Sequence, residues 1–114
     1  MSILQGEIWL TNLDPTLGDE IRKMRPAIVA SRDALGILDL RVVVPLTGWQ
    51  HRFQDFPWMA RIDPDGSNNL DKPSAADTFQ VRSVSIRRFV RILGRLSDAD
   101  LERVKQGLKR VFEL

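Results

Sequence analysis

Three consecutive valines, Val42-Val43-Val44, constrain this chain more than any other stretch. Side chains branched at Cβ are stiff at χ1 and favour extended backbone, so residues 41–47 predict a strand. Pro45 removes one ladder donor from it, which predicts an edge position or a bulge. A strand needs partners, and the rest of the chain offers short ones. Residues 7–10 follow Gly6 with β-favouring side chains, and residues 26–31 form an apolar run with Pro26 at its first position. Residues 57–62, 78–84 and 89–96 predict further strands, the second by its alternation of apolar and polar residues. Residues 32–36 read as a turn or one helical turn, and residues 63–69 as a turn cluster of Pro, Gly and Asn. Residues 48–56 are expected to form a loop rich in aromatics. Trp49, Phe53, Phe56 and Trp58 could stack on unpaired bases or receive a partner's apolar segment, but core burial explains Trp58 better.

Only the C-terminus has helical periodicity. Ser97-Asp98-Ala99-Asp100 resembles a helix cap with carboxylates in the first turn, and Leu101, Val104, Leu108, Val111 and Phe112 then recur at helical spacing. Several short strands closed by one helix predict a mainly β domain, a small, strongly bent sheet or barrel with a helix over its opening. With 114 residues, one domain spanning 1–114 is expected.

Many chemistries are poorly served by these residues. There is no cysteine for a thiolate nucleophile, and the single histidine, His51, sits in the aromatic loop. No nucleophile elbow or glycine-rich phosphate loop is present, and the run from Asp63 has Asn68 and Ser74 where a calcium loop needs glycine and glutamate. No metal site and no cofactor are expected. Every apolar run falls short of a membrane span, the N-terminus does not read as a signal peptide, and the absence of cysteine suits a reducing cytoplasm. The formal charge is only +2, so any phosphate-binding surface must be local.

The place to look is Gly18-Asp19-Glu20-Ile21-Arg22-Lys23-Met24-Arg25-Pro26, where a charged loop stops at a strand. Pro26 biases Arg25 towards the extended backbone and presents it at the strand's mouth. A guanidinium there suits a phosphate and the charge that builds on it. Thr47 ends the valine strand with a hydroxyl that could donate to a second phosphate oxygen. The plainer readings are an Arg25 ion pair with Asp19 or Glu20 and a turn-capping Thr47. Arg22 and Lys23 read as phosphate-positioning or solvated. Arg82, Arg87, Arg88, Arg91 and Arg95 read as a solvated surface.

Residues Gly6-Glu7-Ile8-Trp9-Leu10, Leu13-Asp14-Pro15-Thr16, Gly18-Asp19-Glu20 and Arg25-Pro26-Ala27-Ile28-Val29 resemble the opening of the MazF/PemK (Kid) family of toxin endoribonucleases. The likeness continues through Pro45-Leu46-Thr47, Gln80-Val81-Arg82-Ser83-Val84 and Leu93-Gly94-Arg95-Leu96-Ser97, in the same order. It implies an SH3-like barrel with helices, paired as a homodimer, that cuts single-stranded RNA without a metal. Arg25 and Thr47 match the family's catalytic pair, and Glu20, the acid of its Gly-x-Glu pattern, is expected to orient or assist Arg25. Asp19, Arg22, Lys23, Gln80 and Arg82 are the expected RNA contacts. A cognate MazE-like antitoxin is the implied partner, with operator DNA bound only through that complex.

The chain departs from the family pattern at Asn69, where glycine is frequent, and at Phe79 and Ser85, where acids are usual; some relatives have histidine at the Asp19 position. Two other functions fit the same fold. One is a toxin acting on a protein such as DNA gyrase, which would not need Arg25 and Thr47. The other is a barrel that binds RNA or protein without cutting.

Overall fold

The computed structural model describes residues 2–114. Seven strands run in order: β1 (Glu7–Asn12), β2 (Met24–Val29), β3 (Leu40–Gly48), β4 (Met59–Ile62), β5 (Ser74–Asp77), β6 (Arg82–Ser85) and β7 (Phe89–Arg95). One helix, α1 (Asp98–Phe112), follows. All pairings are antiparallel; the order is β4-β5-β3-β2-β1-β7, with β6 also alongside β3. No helix among the described residues is long and apolar enough to cross a membrane.

The valine strand is the hub. On one side β3 pairs with β2 from Val43 to Pro45; on the other it pairs first with β6 (Leu40–Val43) and then with β5 (Leu46–Gly48). Pro45 therefore lies in a central strand, not at the expected edge. Its ring falls at the change of partner, between the last β6 pair at Val43 and the first β5 pair at Leu46, where no ladder pairing is present on that side. Val43 and Val44 are both buried because the sheet has a core on each face. Trp9, Ala27, Val29, Val43, Val84 and Phe89 pack on one side, and Ile8, Ile28, Val44, Leu46, Ile62 and Val104 on the other. Two-sided burial is why these runs are continuous rather than alternating.

The second core joins β1 to β4, strands far apart in the order, so the sheet curls around it. The curl closes where β7 meets the turn between β4 and β5. Arg95 N donates to Ser67 O at 3.0 Å, and Asn69 Nδ2 donates to Leu93 O at 2.6 Å. Asn69 stands at φ 54°, a left-handed conformation that asparagine tolerates. Gly94 makes the approach possible: a Cβ on it would stand 2.6 Å from the carbonyl oxygens of Ser67 and Asn68.

Helix α1 begins as expected, with Ser97 Oγ accepting from Asp100 N at 3.1 Å. Val104 and Gly107 are buried and Leu101, Leu108 and Val111 half-buried, but Phe112 is 57% exposed, off the packed face. Gly107 lets the helix approach closely, since a Cβ there would lie 2.8 Å from Thr78 Cγ2.

Three other expectations need correction. Residues 78–84 are not one strand: Thr78–Gln80 form a 3-10 turn between β5 and β6, because the Asp77 side chain caps it by accepting from Phe79 N. Pro26 is the third residue of β2, not its first. Within the aromatic segment His51–Asp55 is also a 3-10 turn, and Phe53, not Trp58, is the buried ring.

Candidate functional site

Proline 26 makes an opening. Ala30 N donates to Val42 O, which sets the ladder's alternation: the next bonded pair is Ile28 with Val44, and the one after would be residue 26 with Leu46. Pro26 has no N–H, and the β2–β3 register ends at Ala27 and Pro45. Two residues further along each strand stand Arg25 and Thr47. Carried two residues past its last pair, the β2–β3 register would set them opposite each other, at the point where the two strands part. Arg25 is thus the second residue of β2, opposite Thr11 of β1, and Thr47 lies opposite Ala75 of β5.

Arg25 is exposed, and among the described residues it forms no ion pair; its Nε makes only a long 3.4 Å contact with Arg22 O. Neither Asp19 nor Glu20 neutralises it. Glu20 has a different partner, since its Oε1 accepts from Leu17 N at 2.7 Å while its own N–H donates to Leu17 O. The carboxylate fastens its own turn and does not orient Arg25 in this structure. Asp19, Arg22 and Lys23 are all exposed on the same loop.

The loop, residues 13–23, is tied at both ends and in its middle. Leu13 N donates to Lys23 O at 2.9 Å, and Lys23 N to Asp14 Oδ1 at 3.0 Å. These two bonds hold Lys23 at φ 70°, a conformation costing a side-chain-bearing residue about 1–2 kcal/mol. Arg82 Nη1 donates to Leu13 O at 3.0 Å, and Arg88 Nη1 to the carbonyls of Asn12 and Asp14. Arg82 and Arg88 are therefore braces, not merely solvated cations, whereas Arg87 and Arg91 are exposed and Arg95 lies 3.9 Å from Glu7.

Gln80 holds the middle. Its Oε1 accepts from Ile21 N and its Nε2 donates to Asp19 O at 3.1 Å, so one amide clasps the peptide groups on both sides of Glu20. Nε2 also donates to Asp77 Oδ2 at 3.2 Å, and an ionised carboxylate, being acceptor only, fixes which way the amide points. The result is a cleft of about 330 Å3 walled by Glu20 and Ile21 from the loop, Pro45 from β3, and residues 79–82.

Asp77 is not among the expected site residues, although Asp77-Thr78-Phe79-Gln80 follows the Asp-x-x-Gln pattern of a cap. Burial pushes its carboxyl above the ordinary aspartate range, against the opposing bonds from Phe79 N and Gln80. In the unfolded chain the group ionises at its ordinary value, so through the window between that value and the raised folded one the native state holds more protons. Its contribution to stability therefore falls as pH rises through the window. The melting temperature of Asp77→Asn minus that of wild type is expected to grow more positive from pH 4 to pH 6. Any pH-independent loss of capping cancels in the change, and a flat or falling difference contradicts the assignment.

A curled antiparallel sheet, one covering helix and a cationic mouth beside a tethered loop define a small barrel suited to a polyanion. The chain belongs to a known family of that class: residues 4–112 match the model of the PemK-like, MazF-like toxins of type II toxin-antitoxin systems. It is 32% identical over 116 residues to endoribonuclease MazF9 of Mycobacterium tuberculosis, an alignment covering 96% of both chains. A solved MazF from Deinococcus radiodurans superposes with a TM-score of 0.83 over 100% of this chain and 99% of its own, at 22% identity. A mycobacterial endoribonuclease solved with its cognate antitoxin gives 0.78 over 99% and 97%, at 17% identity. These solved structures share the fold.

Proposed function

We propose that this chain is a toxin endoribonuclease that cuts single-stranded messenger RNA by attack of a ribose 2′-hydroxyl on the adjacent phosphate. The observation that carries the reading is an exposed Arg25, without an ion pair among the described residues, next to the end of the β2–β3 ladder at Ala27 and Pro45, two residues short of Thr47 on β3. In this reaction RNA supplies its own nucleophile. The bond from O2′ to phosphorus forms, the bond to O5′ breaks, the 2′-hydroxyl loses its proton and the departing oxygen gains one. The protein has to position the phosphate and stabilise the charge of the five-coordinate intermediate. Arg25 does the latter with a planar set of donors, and Thr47 holds a second phosphate oxygen through its hydroxyl. Glu20 keeps free acceptor capacity beside its bond to Leu17 N, and orients the guanidinium once the phosphate has drawn it in. Exposed Asp19, Arg22 and Lys23 follow the RNA backbone, while Gln80 and Arg82 act from the cleft wall that they also brace.

The catalytic unit is one domain, residues 1–114, working as a cytoplasmic homodimer. A MazE-like antitoxin neutralises it, and operator DNA is reached only through that complex. Family membership and the relative named an endoribonuclease support this reading. The test is incubation of the purified protein with a long single-stranded RNA in excess EDTA. Discrete fragments with 5′-hydroxyl and cyclic-phosphate ends are expected. Intact RNA, or cutting only when a divalent metal is restored, overturns the proposal.

A further inference from the structure

Phe79 is a large apolar ring left 67% exposed, although its neighbours are fastened on both sides. Thr78 is fully buried with its hydroxyl donating to Trp58 O, and Gln80 clasps the loop. The ring is therefore held out by its backbone and not free to fold inward. It meets Trp58 edge to face, with centroids 5.8 Å apart and planes at 71°. Trp58 in turn stacks on Phe56 at 4.9 Å and 6°, and Phe56 leans on the buried Phe53 at 6.0 Å. A chain of rings thus runs from the core to the rim and stiffens an aromatic corner in advance of any ligand.

That corner walls a pocket of about 130 Å3 whose other sides are Pro57, Val111 and Arg110. Phe79 also walls the cleft of Glu20 and Arg82, so the pocket and the cleft share one ring. The pocket contains no carboxylate, and its one charged lining residue is an arginine. Flat apolar faces and a cationic rim are elements by which proteins hold unpaired bases.

We infer that the Trp58–Phe79 pocket is a base-binding subsite, taking the unpaired nucleobase of one nucleotide that flanks the scissile phosphate. This rests on the RNA-cutting function proposed above. The base stacks on one ring and meets the edge of the other, while Arg110 faces the backbone. Through Phe79 this wall of the cleft offers an aromatic face.

The test pairs protein and RNA changes. A short RNA containing one cut site is made intact and with an abasic nucleotide at each position around the cut, and each form is cleaved by wild type, Phe79→Ala, Phe79→Leu and Phe79→Trp. Wild type is expected to lose roughly 10- to 100-fold in kcat/KM, mostly through KM, when the base at one particular position is removed. Phe79→Ala and Phe79→Leu lose a similar factor on intact RNA but nothing more on that abasic form, and Phe79→Trp restores cleavage. Leucine keeps the apolar bulk, so a merely structural role would be rescued by it. Independent, multiplying losses at every position overturn the subsite while leaving RNA cleavage standing. Variants that cut normally but escape the antitoxin give the pocket to a protein partner and overturn it too. Wild type that cuts no RNA at all overturns both this inference and the function beneath it.

Discussion

Arg25→Ala is expected to lower kcat/KM for RNA cleavage by about 100- to 1,000-fold, the usual cost of removing one donor from a charge-stabilising site. The loss should fall mainly on kcat, because the intermediate carries more negative charge than the bound substrate. Folding should hardly change, since Arg25 is exposed and its one hydrogen bond is long. Arg25→Lys should recover only part of the rate: an ammonium is a point charge and cannot offer two parallel donors to a phosphate. Initial rates on a fluorogenic RNA, with a thermal melt of each variant, decide the matter. Arg25→Ala within threefold of wild type would remove Arg25 from the chemistry and reopen a toxin acting on a protein target.

The largest effect on stability is expected far from that mouth. A methyl group on Gly94 would stand 2.6 Å from two backbone carbonyl oxygens and 2.7 Å from the carbonyl carbon of Asn68, none of which can rotate away. To admit it, β7 must part from the turn at 67–69 and lose the Arg95–Ser67 and Asn69–Leu93 bonds that close the barrel. Gly94→Ala should cost about 3 kcal/mol. For a domain of this length that lowers the melting temperature by roughly 10–20 °C. Gly66→Ala is the control, because a Cβ there meets nothing within 4 Å. Equal melting temperatures for the two variants would mean that the closure contributes little.

The parts of the fold that were legible in the sequence carry a local cause. Helix α1 has its cap at Ser97 and an apolar stripe; β3 has its valines. The strand β5 went unseen because Ser-Ala-Ala-Asp has no branched or aromatic side chain. All four of its residues are buried by their neighbours, which is a tertiary fact. Pro45 misled in the opposite direction, since a proline rule written for continuous ladders does not anticipate a strand that changes partners. At the site, Arg25 and Thr47 were visible singly. Their relation to each other depends on a register set near Ala30 and Val42. Glu20 forms no ion pair with Arg25 in this structure, and a backbone N–H only three residues away takes its Oε1.

The braces of the loop have a consequence for how the chain is made. Gln80, Arg82 and Arg88 hold groups that precede them by 59 to 76 residues, and β1 finds β7 only at the end of the sequence. At about 5–20 residues per second, the loop emerges roughly 3–15 seconds before these distant braces exist. Through that interval a nascent chain carries Arg25 and Thr47 but not residues 79–82, which wall the cleft beside the loop. The charged loop is thus among the first parts of the chain to be made and among the last to be braced by the rest of the fold.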